Sequence, residues 1–154
     1  MKNTITIILL ITTLLSCKAQ DNTINLNELT INNTLFLGNN VNLVTQQFGQ
    51  PNSIEDYYYE MDEVMSQKYN YNGILFYIID NKVDSFEVTG NNYTFTNHNL
   101  KIGDNIQILQ PIFPLSYSNR SNHSLVVEFN GYDRFFVILF NNNNLITKIR
   151  LGTY

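Results

Sequence analysis

The sequence predicts an α+β protein: two tandem repeats of a short helix followed by an antiparallel β-meander, with the helices packed on one face of the sheet. Three observations lead there. Gly38, Asn40, Val41, Val44, Phe48, Gly49 and Pro51 spell a capped, terminated amphipathic helix. Gly103, Asn105, Ile106, Leu109 and Phe113 restate its first part at a constant offset of 65 residues. Each stretch is followed by apolar runs broken by Asn-Gly or Asn-rich turn signals.

Taken in order, residues 18–34 ("KAQDNTINLNELTINNT") begin as a polar tether, and Ile24, Leu26, Leu29 and Ile31 offer a weak strand. Asn40 is an N-cap, Val41, Val44 and Phe48 share one helical face, Gly49 supplies the left-handed C-terminal position, and Pro51 prevents continuation. A helix of about two turns needs packing to persist. A Tyr-rich strand, the Asn72-Gly73 turn, a strand from Ile74 to Ile79, a turn at "DNK" and a strand from Val83 to Val88 follow. The face assignment of the strand from Ile74 to Ile79 is open by one residue.

In the second half Pro111 and Pro114 predict a shorter or partly 3₁₀ helix. Strands at 124–129, 134–140 and 145–151 are separated by Asn130-Gly131 and the run Asn141–Asn144. Ile149 and Leu151 alternate with Lys148 and Arg150, as Phe86 and Val88 do with Ser85 and Glu87, so one sheet face is buried and the other solvated. The expected organisation is a leader over 1–16, Cys17 and a tether over 17–34, and repeats over 35–98 and 99–154 that share one compact domain.

The leader carries location. Lys2 precedes a short apolar run that is under the ~20 residues a membrane-spanning helix requires, which fits an export signal. Leu14-Leu15-Ser16-Cys17 resembles the lipobox of bacterial lipoproteins, and Cys17 is the only cysteine. That resemblance implies cleavage before Cys17 and attachment there of a diacylglycerol and an N-acyl chain, palmitate or its like. More than one acyl chain anchors stably. Lys18, in place of the Asp that favours inner-membrane retention in enterobacteria, points to the outer membrane. With its thiol acylated, the chain has no cysteine left for disulfides, metal or nucleophilic catalysis.

Composition narrows partners. The formal charge is −4, and loss of Lys2 with the leader leaves 8 basic side chains against 13 acidic ones. No basic stripe is available for phosphates, so nucleic acid is excluded as an expected partner. Charged residues are only 14% of the chain, and Asn supplies much of the polar surface and the turns.

The pattern from Gly38 through Asn40, Val44, Phe48 and Gly49 to Pro51, followed by Tyr- and Phe-rich hairpins, is similar to the BamE (SmpA/OmlA) domain of outer-membrane lipoproteins. Two such units look like the arrangement in β-lactamase inhibitory protein. The resemblance implies helices on one sheet face, the other face free to bind protein, and a non-catalytic role as assembly accessory, inhibitor or binding module. The second stretch lacks the Gly-x-Pro ending, and Asn40 and Asn105 stand where the family has Ser or Thr.

Catalytic constellations are sparse. His98 and His123 lie in polar, loop-like surroundings without metal-ligand spacing, and no triad or phosphate loop is apparent. The densest acidic and aromatic run is Glu55 to Val64. Tyr57 and Tyr59 share one strand face and Tyr58 takes the other; the tyrosines either cover a small core or anchor an interface. The candidate protein-binding residues are therefore Tyr57, Tyr58, Tyr59, Glu60, Asp62, Glu63, Tyr77, Glu87, Lys148 and Arg150. No cofactor or metal is expected beyond the lipid on Cys17. The expected function is a membrane-tethered, non-catalytic binding or assembly module for another envelope protein. An immunity or inhibitor protein capping a toxin or hydrolase, and a small hydrolase using His98 or His123, are the alternatives.

Overall fold

The computed structural model describes residues 23–59, 63–96, 98–131 and 133–153. The expected leader and residues 17–22 of the expected tether, Cys17 among them, lie outside them, as do Glu60 and Asp62. Strand β1 (Thr23–Ile24) leads through a 3₁₀ turn at Leu26–Glu28 to a hairpin of β2 (Thr30–Ile31) and β3 (Thr34–Leu35). Helix α1 (Val41–Phe48) precedes a meander of β4 (Ser53–Tyr59), β5 (Val64–Tyr71), β6 (Ile74–Ile79) and β7 (Lys82–Val88). A 3₁₀ turn at Ile106–Leu109 and helix α2 (Pro114–Ser118) precede β8 (Ser124–Phe129), β9 (Arg134–Phe140) and β10 (Ile146–Thr153).

Eight of these strands build one mixed sheet in the order β1-β8-β9-β10-β7-β6-β5-β4, and β2 and β3 form a separate pair. The expected α+β class with two tandem helix-then-meander repeats is thereby corrected to a sheet-dominated fold. Two physical reasons stand out. The meanders fuse through antiparallel pairing of β10 with β7 at Ile149↔Val88 and Arg150↔Glu87, so neither closes as a unit. In addition β1, from ahead of the first helix, pairs in parallel with β8 at Thr23↔Glu128, so the N-terminal segment completes the far side of the sheet. Ile24, Leu29 and Ile31, within the stretch expected to begin as tether, are buried in the core. Helix is a minor component, because Pro114 forces Phe113 to a non-helical φ of −129° and α2 starts only after it.

Asn explains the turns. Asn32 and Asn33 (φ 50° and 63°) join β2 to β3, and Asp80 and Asn81 (φ 49° and 61°) join β6 to β7. Two successive left-handed residues give the tight hairpin whose twist matches its strands, and Asn and Asp tolerate that region best after Gly.

The core lies on one sheet face. Phe36, Phe76, Phe86, Phe95 and Phe136 are fully buried there, with Phe95 stacked on Phe136 at 4.8 Å. Val44, Leu109 and Phe113 are buried in it, and half-buried Phe48 packs on Phe36 at 5.3 Å and on Phe76 at 5.7 Å. The register left open by sequence is resolved: Ile74, Phe76 and Ile78 point inward, and Leu75, Tyr77 and Ile79 outward. The outward face carries the candidate site.

Candidate protein-binding surface

Period-two alternation places Tyr57 and Tyr59 of β4 on the outward face, where Tyr77 of β6 reaches toward them across β5. The three rings meet edge to face: Tyr57 and Tyr59 at 5.1 Å, Tyr57 and Tyr77 at 6.0 Å, Tyr59 and Tyr77 at 6.4 Å. Each such contact adds about 0.5–1.5 kcal/mol beyond area burial. The Nζ of Lys68, on β5 between them, lies 3.9 Å from the centre of the Tyr57 ring, a cation–π contact.

Charges ring this cluster. Lys148 Nζ on β10 bonds Glu87 Oε2 on β7 at 2.8 Å, and Arg134 on β9 pairs with Asp84 on β7 at 2.6 Å. Arg150 is exposed and forms no salt bridge among the described residues. A shallow groove of about 260 Å³ runs between Tyr57, Tyr59, Tyr77, Glu87, Phe135 and Arg150. Burial pushes the Tyr77 phenol up to about 12, helped by the nearby Glu87 carboxylate and opposed by Arg150. Burial also raises Tyr59, against a hydrogen bond to Ser85 that lowers it. Both hydroxyls therefore stay protonated through neutral pH and can donate to a ligand.

The structure thus brings together Tyr57, Tyr59, Tyr77, Glu87, Lys148 and Arg150. It separates Tyr58, which projects from the opposite face of β4 and is 50% exposed, beside Met65 at 59%. Glu63 is exposed in the turn before β5 with φ 52°. Glu60 and Asp62 are outside the described residues. Sequence reasoning missed Lys68, Ser85 and Phe135. Lys68 and Ser85 were findable, Lys68 because it stands at even spacing from Ser66 and Asn70 on a strand that must lie beside the tyrosines, and Ser85 because the β6–β7 hairpin sets it opposite Tyr77; Phe135 needs the β7–β10–β9 order, which no local pattern gives. Ser66, across from Tyr57, is buried and its hydroxyl has no partner among the described residues.

His98 and His123 are both exposed, His98 against Phe113 at 6.0 Å. Among the described residues no group of three or more His, Cys, Asp or Glu side chains is placed to hold a metal ion.

No protein family matches the chain by sequence, and no curated protein does. Solved structures do. An extracellular protein containing an SCP domain from Bacillus anthracis superimposes with a TM-score of 0.51 at 14% identity, over 77% of this chain and 44% of that one. A cysteine-rich secretory protein from Staphylococcus aureus gives 0.49 and 12%, covering 77% and 43%; a DUF4309 family protein from Bacillus subtilis gives 0.38 and 12%, covering 75% and 78%. The chain spans less than half the length of the first two. The likeness is of fold alone. The resemblance to BamE domains and to the β-lactamase inhibitory protein arrangement is overturned, because the Bacillus anthracis match and the continuous sheet point to a different, sheet-dominated fold.

Proposed function

We propose that the chain is a non-catalytic protein-binding module of the cell envelope or exterior, and that its binding surface is the outward sheet face around Tyr57, Tyr59 and Tyr77. The observation that carries this reading is the aromatic trio itself, partly exposed, held on strands and flanked by Lys68, Glu87, Lys148 and Arg150. Tyrosine and arginine beside a polar rim are what interface anchors use, and a sheet presents them with little entropy left to lose on binding. The extracellular description of the Bacillus anthracis protein supports the location. The lipobox-like Leu14 to Cys17 supports a lipid anchor, with the outer membrane as the finer placement.

The test is affinity capture from envelope extract with the full chain as bait, compared with Tyr77→Ala and Arg150→Glu. A specific partner recovered by the native protein and lost from both variants is expected; recovery indifferent to both would sink this surface. Acidic Glu55, Asp56 and Glu63 favour a second reading, an inhibitor capping a basic enzyme. Recovery of a single soluble toxin or hydrolase, inactive in the complex, would select it. For the anchor, Cys17→Ser should release the protein from the membrane fraction, and unchanged sedimentation would exclude acylation there.

A further inference from the structure

Strand β4 ends the sheet, and among the described residues no strand covers its outer edge. Such an edge offers a row of backbone donors and acceptors, and soluble proteins ordinarily blunt it with charged side chains, proline or a bulge. Over Ser53–Tyr59 β4 has no proline and no lysine, its pairing with β5 runs without a register shift, and its only charges are the acids Glu55 and Asp56. It is also sticky on both sides. Tyr57 and Tyr59 stand on the outward face, while Ile54 (49% exposed) and Tyr58 stand on the other, beside Met65.

Two acids interrupt this apolar strip, one on each face. Glu55 shares the face of Tyr57, and Asp56 that of Ile54 and Tyr58. Both are exposed, and neither forms a salt bridge among the described residues. Lys68 lies directly across from Glu55 in the β4–β5 register, but its ammonium is turned over the Tyr57 ring; Glu55 accepts from Ser53 Oγ at 3.4 Å, and among the described residues Asp56 accepts only from the Gln67 amide, at 3.3 Å. Asp56 is the central residue of the seven in β4. Antiparallel pairing of two β4 edges about that centre would set Asp56 against its own copy, a like-charge contact that disfavours a second copy of this chain.

We propose that the β4 edge is a strand-addition site for an extended basic segment of a partner protein, one with two adjacent basic residues flanked by apolar or β-branched ones. Adjacent residues of an added strand point to opposite faces, so the first basic side chain meets Glu55 and the second meets Asp56. Their neighbours cover Ile54, Tyr57 and Tyr58. Backbone hydrogen bonds supply affinity and the two charge pairs set the register. This inference rests on the protein-binding reading above and specifies its mode.

The probe is a short, end-blocked synthetic peptide with a central Lys-Lys pair flanked by alternating valine and threonine. Titrated into the isotope-labelled protein, it should shift the amide signals of Ile54 to Tyr59 and slow their hydrogen exchange. Affinity should fall with added salt, and roughly tenfold or more with the E55K/D56K double variant. Replacing Lys-Lys by Glu-Glu, or N-methylating alternate peptide bonds on the pairing side, should abolish it. Equal binding by the N-methylated peptide, shifts confined to Tyr77 and Arg150, or concentration-dependent pairing of the protein's own β4 edges would each overturn strand addition. Should E55K/D56K retain an envelope partner that Tyr77→Ala loses, strand addition falls and the protein-binding reading stands. Native protein that takes the peptide at β4 while the Tyr77 and Arg150 variants keep every envelope partner would do the reverse to the tyrosine face.

Discussion

The segments beginning at Gly38 and at Gly103 are tied down by matching contacts, yet they end as different structures. In the first, Gly38 N–H donates to Val83 O, Val83 N–H to Asn39 O, and Val41 N–H to Asn81 O, at 2.8, 2.9 and 2.8 Å. In the second, Gly103 N–H donates to Ile146 O, Ile146 N–H to Asp104 O, and Ile106 N–H to Asn144 O, at 2.8, 2.8 and 2.9 Å. Asn40 Oδ1 accepts from Asn42 N–H at 2.9 Å and Asn105 Oδ1 from Gln107 N–H at 3.0 Å. From there α1 runs eight residues to Gly49, whereas the second segment stops after four in 3₁₀ geometry. The entry clamp depends on Gly and Asn; the length of helix beyond it depends on where proline removes a donor.

The largest effects should come from the residues that dock each segment. Phe113→Ala removes a ring that is 2% exposed and should cost about 4 kcal/mol. Phe48→Ala empties a half-buried site against Phe36, Tyr71, Phe76 and Tyr93 and should cost about 3 kcal/mol. Urea denaturation of both checks the order. A Phe48 variant with an unchanged midpoint would mean that α1 is not held by its aromatic contacts.

Next come the caps. Asn40→Ala should lose about 1 kcal/mol and Asn105→Ala less, since the first supports a full α-helix and the second a single tight turn. A larger loss at Asn105 would show that the clamp itself, not the helix it starts, is what the cap stabilises.

The end of the first helix also carries a response to alkali. Tyr71 Oη donates to Gly49 O at 3.2 Å at the end of α1, and burial raises its phenol. A group whose folded value lies above its unfolded value of 10.0 contributes stability in full below pH 10 and loses it as pH rises through the folded value. Tyr77, pushed up to about 12, acts in the same direction over pH 10 to 12. Stability should therefore decline above pH 10, and Tyr71→Phe should reduce the decline attributable to α1. Urea midpoints at pH 9 and pH 11 for both proteins measure it.

How much of the fold was legible in the sequence divides along the same line. Caps, turns and strand alternation are local, so Asn40, Asn105, Asn130-Gly131 and the inward set Phe86, Val88, Ile149 and Leu151 could be read from spacing. Which strands become neighbours is not local. Nothing near Thr23 announces that it will pair with Glu128, or near Val88 that it will meet Ile149, and those two pairings turn a pair of meanders into one sheet. The site shows the same limit: Tyr57 and Tyr59 were legible as one face and Ser85 lies opposite Tyr77 in a local hairpin, but Phe135 joins their groove only through the strand order.

The smallest effect tests the reason given for the divergence. Pro111 has no N–H to donate to Gln107 O, which instead accepts from Gln110 N–H at 3.1 Å in the 3₁₀ pattern. If that missing donor alone ends the segment, Pro111→Gln, which installs the residue type found at the equivalent Gln46, should let the turn relax toward α geometry. Circular dichroism should show a small gain in helix. Stability should change by less than about 1 kcal/mol, because the freed unfolded chain offsets the added hydrogen bond. Ile106, Leu109 and Phe113 are already buried in the present geometry. A loss of several kcal/mol would therefore mean that their packing requires the tight turn, and that proline is a consequence of the core's shape and not its cause.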